Sequence, residues 1–236
     1  MALYRGHEGL RTTSFSKIKE INVMGQYNSK GLYNGYKKNS KERETLDYYA
    51  TPATEVLNIL ETLGYDFSGQ TILEPCCGGG HMIAGIQKYL DTHEQTPAAL
   101  KATDFKDRDF RSTKWELQYD LDFLADDYPI DKADVIIMNP PYATLEPFLI
   151  RALEIAQDKL IVLCRVQALE GASRYKNIFK DNPPTEIYGY VDRIQCWKGG
   201  EKPSGSSAQM YAWLVFDKKA PAAAPTWHWI FRSEGY

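Results

Sequence analysis

The sequence has few cysteines, few histidines and no long apolar run, and each shortage removes a class of protein. Four cysteines in 236 residues are not the framework of a disulfide-stapled secreted domain, and none stands in a Cys-x-x-Cys pair. Four histidines share no metal-ligand spacing with those cysteines, so no metal is expected. No apolar stretch approaches the roughly 20 residues that cross a bilayer. The N-terminal MALYRGHEGLRTTSF lacks a signal-peptide core. A reducing, cytoplasmic setting with no membrane partner is therefore expected. There is no internal repeat. A net charge of −3 argues against a bulk nucleic-acid coat protein. What is present is 43% hydrophobic and 25% charged residues, the proportions of a soluble globular domain. A chain of this length buries roughly 70% of its unfolded surface.

The mean charge hides a segregation. Residues 1–45 carry nine Lys/Arg against four Glu, a balance of +5, and the remainder carries 19 basic against 27 acidic, a balance of −8. Residues 24–40 (MGQYNSKGLYNGYKKNS) show no helical or strand period. Residues 1–45 are read as a flexible basic arm and 46–236 as one domain. Such an arm suits a phosphate backbone, with its tyrosines available to bases. A solvated tail without a role is the competing reading.

From Tyr48 onward the pattern alternates. Thr51-Pro52 reads as a helix start, with Thr51 as N-cap. Val56, Leu57, Leu60 and Leu63 follow at helical spacing, then the strand Thr71–Glu74. Met82, Ile83, Ile86 and Leu90 form a helix face, and Leu100–Thr103 is a second strand. ADVIIM at 133–138 is a buried β-branched run, the helix of Leu145, Phe148, Leu149, Ala152, Leu153 and Ala156 follows, then the strand LIVLC at 160–164. Ile187–Val191, Tyr211–Phe216 and Trp227–Phe231 complete the set. Strands alternating with helices predict a doubly wound α/β fold, Rossmann-like and mostly parallel. The short link KKAPAAAPT between the last two strands predicts an antiparallel C-terminal hairpin. Ligands bind such sheets at the carboxyl ends of the strands.

Those ends carry the chemistry. Glu74-Pro75-Cys76-Cys77-Gly78-Gly79-Gly80 follows the first long strand, and its glycines let the backbone approach a ligand. Ile83 stands where a dinucleotide fingerprint would place its third glycine, so nicotinamide binding is disfavoured. Asp104, at the end of the next strand, is placed to accept ribose hydroxyls. In Asp122-Phe123 the carboxylate could take an adenine amine while the ring packs on the purine. Asn139-Pro140-Pro141-Tyr142 is the sharpest feature, a tetrapeptide expected by chance with odds on the order of one in a thousand. The Asn139 amide oxygen and the Pro140 carbonyl can both accept from one exocyclic amine, leaving its lone pair free to attack. Pro140 and Pro141 stiffen the turn, and Tyr142 offers a ring to the base. His81 is read as packing or capping, and Cys76-Cys77 as an inert pair.

These residues resemble class I S-adenosylmethionine-dependent methyltransferases, in the amino-methylating group with the Asp/Asn/Ser-Pro-Pro-Tyr/Phe signature. From Tyr48 to about Trp229 the chain is similar to small phage and prophage adenine-N6 DNA methyltransferases. The resemblance implies a seven-stranded sheet and S-adenosyl-L-methionine as cofactor. It implies cofactor contacts from Tyr49, Thr51, Glu74, Pro75, Gly78, Gly80, Asp104, Phe105, Asp122, Phe123 and Asn139. Asn139, Pro140, Pro141 and Tyr142 would form the catalytic loop. DNA is the expected partner and a monomer the expected state. The 58 residues between Gly80 and Asn139 leave no room for an inserted recognition domain. Only residues 165–209 could read sequence, with the loop Lys198–Ala208 expected to be mobile and to rim the target pocket. The same loop chemistry also serves RNA amines and protein glutamine, and a catalytically silent nucleic-acid-binding subunit is a further alternative.

Overall fold

The computed structural model describes residues 48–202 and 209–233, all within one compact unit spanning Lys41–Tyr236. The basic arm, and residues 203–208 of the loop expected to rim the pocket, lie outside the described residues. In chain order the elements are β1 (Tyr49–Ala50), α1 (Ala53–Leu63), β2 (Thr71–Glu74), α2 (His81–Thr92), β3 (Ala99–Thr103) and β4 (Glu116–Gln118). There follow β5 (Ala133–Met138), α3 (Leu145–Ile155), β6 (Ala156–Arg165), β7 (Glu186–Tyr190), β8 (Trp197–Lys198), β9 (Tyr211–Asp217) and β10 (Thr226–Ile230).

Eight strands make one sheet in the order β10-β7-β9-β6-β5-β2-β3-β4, and β1 pairs with β8 outside it. All pairings in the large sheet are parallel except those of β9, which runs antiparallel to both β6 and β7. The doubly wound, mostly parallel architecture is therefore present, and its antiparallel element is β9. Two details of the expectation are corrected. The sheet has eight strands where seven were expected. The last two strands do not form a hairpin, because β7 lies between them: β10 pairs parallel with β7 at the sheet edge. A short link fixes only how far apart two strand ends can be, and here it spans one intervening strand.

Central strands read as continuous apolar runs because both faces are covered. Ile161 and Leu163 pack with α1 and α2 residues such as Ile59, Leu60, Ile83 and Ile86. Leu160, Val162 and Cys164 point the other way, against Leu149, Ala152 and Leu153 of α3. This is the two-residue strand period applied to a sheet sandwiched between helices. Helix α1 begins without a side-chain cap: Pro52 holds the N-cap position. The Thr51 hydroxyl is used elsewhere, which corrects its expected capping role.

Helices α1 and α2 touch at Gly85. A Cβ there would sit 2.5 Å from the Ala53 carbonyl and 2.6 Å from the Val56 Cβ. Backbone on the far side cannot swing away, so Gly85→Ala must push the helices apart. Such overpacking costs about 1–3 kcal/mol. For a domain of this size that corresponds to a melting point roughly 2–4 °C lower per kcal/mol. A thermal melt checks it, and an unchanged midpoint would mean the two helices separate freely.

Candidate active site

The chain winds outward from β2 to β3 and β4, then crosses back to β5. The loops after β2 and β5 therefore leave the sheet in opposite directions and open a crevice. The β2 loop turns through Gly78 (φ +52°) and Gly80 (φ +77°), a left-handed region that favours glycine. The Gly78 N–H donates to Asp104 Oδ2 (2.7 Å), and Lys106 N–H donates to Asp104 Oδ1 (2.9 Å). Asp104 is thus buried and holds the glycine turn from the end of β3. The glycines are also crowded. A Cβ on Gly78 would run into the Tyr48 ring, and one on Gly80 into the Phe110 ring. Tyr48 Oη accepts the Gly79 N–H (2.8 Å), and the Arg108 guanidinium lies 4.2 Å from the Tyr48 ring centre.

Glu74 ends β2 and is buried at 2% exposure. Its Oε2 has no hydrogen-bond partner. Burial lifts this carboxyl well above the ordinary carboxylate range, and the Asp104 charge adds to the effect. The folded protein then holds a proton that the unfolded chain releases near 4.5. This contribution to stability is complete below that value and is lost as pH rises toward the folded one. Glu74→Gln removes the titration, so its stability should decline less than wild type on going from pH 5 to pH 8. Parallel profiles in pH-dependent melts would count against a neutral Glu74.

Farther along the crevice, Asp122 is half-buried and its Oδ1 accepts the Leu124 N–H (2.9 Å), the start of a tight turn. Phe123 is a core residue. At 2% exposure its ring packs against Tyr128 (5.2 Å) and Phe148 (5.1 Å). No ring face is left for a purine, which corrects the expected stacking role. Phe105, by contrast, is 46% exposed beside Asp104. Pro75 is buried, and its carbonyl accepts from Thr103 Oγ1 (3.2 Å).

The β5 loop carries Asn139. Its Nδ2 donates to the Tyr49 carbonyl (3.0 Å) and to Thr51 Oγ1 (3.0 Å). A carbonyl can only accept, so the amide nitrogen must face Tyr49 and the amide oxygen must face away. That oxygen, Oδ1, is buried and has no partner. An unmet buried acceptor costs about 1–3 kcal/mol, and it suits a site waiting for a donor. Pro140 is buried. The Pro141 carbonyl closes the following turn by accepting the Thr144 N–H (3.1 Å). Cys76 Sγ lies 3.5 Å from the Asn139 carbonyl and joins the two loops.

Tyr142 is not a bare platform. Its ring centre lies 5.5 Å from that of Tyr49, and the Arg165 guanidinium sits 4.2 Å above it. Its hydroxyl donates to Tyr211 Oη (3.3 Å). Burial pushes its phenol far above the ordinary range, so it remains neutral. The β1–β8 pair frames this corner: Tyr49 faces Lys198 and Ala50 faces Trp197. The first residues of the 198–208 loop therefore stand beside Tyr49.

Sequence reasoning passed over Arg165, Arg108 and Phe110. Arg165 had one usable signal, its place directly after LIVLC at a strand's carboxyl end. Phe110 and Arg108 lie in an irregular stretch and had none. His81 packs edge-on against Trp197 (5.5 Å), and burial lowers its basicity. Cys76 and Cys77 are both free thiols, pushed upward by burial. Among the described residues no group of three His, Cys, Asp or Glu could hold a metal ion. None of their helices is long and apolar enough to cross a membrane.

No family model matches the chain, and no curated protein matches it by sequence. Solved structures do match in fold. A proposed RNA methyltransferase from Pyrococcus horikoshii is 19% identical with a TM-score of 0.55, covering 74% of this chain and 89% of its own. A methyltransferase subunit of a type I restriction-modification system from Streptococcus thermophilus gives 14% identity and a TM-score of 0.53, over 73% of this chain. The modification protein of the type I restriction enzyme EcoKI gives 13% and 0.54, again over 73%. This chain spans 45% and 44% of those two subunits. At these identities the likeness establishes the fold alone, a mostly parallel α/β sheet shared with these methyltransferases.

Proposed function

We propose that this protein transfers a methyl group from S-adenosylmethionine to the N6 amine of adenine in DNA. The observation that carries the reading is the unpartnered Asn139 Oδ1, aimed away from Tyr49 at a strand end of a methyltransferase fold. The residues suit the cofactor. Glu74 is a buried carboxyl whose Oε2 has no partner, able to give up its proton and accept from an ammonium group, and the glycine turn is held open in a left-handed shape by Asp104. When bound, S-adenosylmethionine supplies an electrophilic methyl on sulfur.

The protein's own residues would then do three things. Asn139 Oδ1 and the Pro140 carbonyl accept the two amine hydrogens, drawing the nitrogen lone pair out of the ring. Tyr49 and Thr51 keep the amide from turning its nitrogen toward the substrate. The closed turn after Pro141 holds these acceptors in place, so geometry supplies most of the rate. The amine needs no strong base, because it becomes acidic only after it is methylated. Adenine inside a duplex hides this amine, so the target nucleotide must be flipped out or already unpaired.

DNA as substrate is supported by the resemblance of the chain from Tyr48 to about Trp229 to small adenine-N6 DNA enzymes and by the +5 balance of residues 1–45. The test offers labelled S-adenosylmethionine with plasmid DNA, denatured DNA, RNA and a protein extract, followed by nucleoside analysis. Label recovered as N6-methyladenine from DNA is the expected result. Label in RNA or in protein glutamine would move the reading to those substrates. Cofactor binding without transfer to any of them would leave a silent binding subunit.

A further inference from the structure

We infer that Arg165 is a substrate-binding residue that grips a phosphate beside the target nucleotide, and that it rests on Tyr142 until the substrate arrives. The inference rests on the nucleic-acid reading above and adds a contact to it. Arg165 ends β6, and its cross-strand partner in β9 is Tyr211. Partners in register share one face, so the Arg165 and Tyr211 side chains leave the sheet on the same side, and the Tyr211 phenol helps to keep the guanidinium protonated. The guanidinium carbon lies 4.2 Å from the Tyr142 ring centre and 5.7 Å from that of Tyr49.

The setting is unusual for a permanent cation. Among the described residues Tyr49, Tyr142 and Tyr211 lie around it, and no carboxylate forms an ion pair with it. Its Nε is buried and has no hydrogen-bond partner. A guanidinium presents five donors in a flat fork that matches the oxygens of a phosphate, and here part of that fork is unused. Aromatic faces hold a cation without satisfying its N–H groups. The contact is therefore a resting place that a bidentate oxyanion can outcompete.

The location decides which oxyanion. Tyr142 belongs to the loop that presents Asn139, and Tyr49 supplies the carbonyl that orients the Asn139 amide. Any base whose amine reaches Asn139 Oδ1 arrives beside these two rings, which Arg165 now covers. If the base takes the Tyr142 face, the guanidinium must leave it. The charge that travels with the base is its flanking phosphate. The body of the chain carries a balance of −8, so a cation at this point also offsets the repulsion of a polyanion.

The experiment compares the full-length wild type with Arg165→Met, which keeps the stem, and Arg165→Lys, which keeps the charge. Michaelis constants for adenine-containing oligonucleotides are measured across a salt series, and S-adenosylmethionine affinity by calorimetry. Arg165→Met should raise the oligonucleotide KM by about tenfold or more, the scale of one lost charge-assisted contact. It should flatten the salt slope by close to 0.9 on duplex or 0.7 on single strands, one phosphate's worth. Arg165→Lys should recover the slope but only part of the KM. In a scan of neutral methylphosphonate linkages, one position should weaken wild type and leave Arg165→Met unaffected. A weakened cofactor with unchanged KM would instead place the cofactor's carboxylate at Arg165. A lower melting point with an unchanged salt slope and no silent linkage would make it a structural prop. Either result overturns the inference. A wild type that methylates no oligonucleotide overturns the underlying nucleic-acid reading instead.

Discussion

Asn139→Ala should lower the turnover number by about a hundredfold, the scale of losing one oriented group that acts in the transition state. Cofactor affinity should change little. The side chain has two halves with separate jobs. Nδ2 is spent on the Tyr49 carbonyl and Thr51 Oγ1, while Oδ1 is buried without a partner. Alanine removes both halves and leaves only the Pro140 carbonyl to accept from the amine. Thr51→Val removes one tether and spares Oδ1, so its loss should be smaller and should appear in turnover ahead of KM. Single-turnover kinetics with labelled cofactor separates the cases. An Asn139→Ala protein with near-normal turnover would remove the acceptor role altogether.

Asp104→Ala should weaken S-adenosylmethionine binding by tenfold to several hundredfold, and it should do so through the glycine turn. Both oxygens of Asp104 already accept backbone N–H groups, from Gly78 and Lys106. Losing them strands two donors, each worth about 1–3 kcal/mol when buried and unmet. Burial raises the Asp104 carboxyl above its ordinary range while those two N–H groups oppose the rise. The sequence reading gave Asp104 a direct grip on ribose. The structure adds an earlier duty, that of shaping the turn on which a cofactor would lie. Calorimetry with S-adenosylmethionine, combined with amide exchange at Gly78, tests both parts. Fast exchange at Gly78 with unchanged affinity would confine Asp104 to the turn.

Several residues were readable in advance because their signals are local. Asn139-Pro140-Pro141-Tyr142 carries its chemistry in four consecutive side chains, and ADVIIM directly before it marks a buried strand end. Thr71–Glu74 and Ala133–Met138 match their expected bounds, since a run buried on both faces announces itself. Phe123 was misread for the opposite reason. An aromatic beside an aspartate looks the same whether its ring meets a ligand or, as here, Tyr128 and Phe148. The strands β1, β4 and β8 were missed because two or three residues are too short to show a period.

The amino-acid sequence by itself determined the alternation of strands and helices, the two glycine- and proline-rich turns, and the residue types at each strand end. These follow from periodicity and from backbone chemistry that acts over a few neighbours. Tertiary structure alone decided which strands lie side by side. It placed β9 between β6 and β7, and so brought Arg165 into register with Tyr211. It also decided which way the Asn139 amide faces, because the carbonyl that orients it lies 90 residues away in the chain. Strand pairing and buried hydrogen bonds join distant segments, and no local pattern records a partner that only folding supplies.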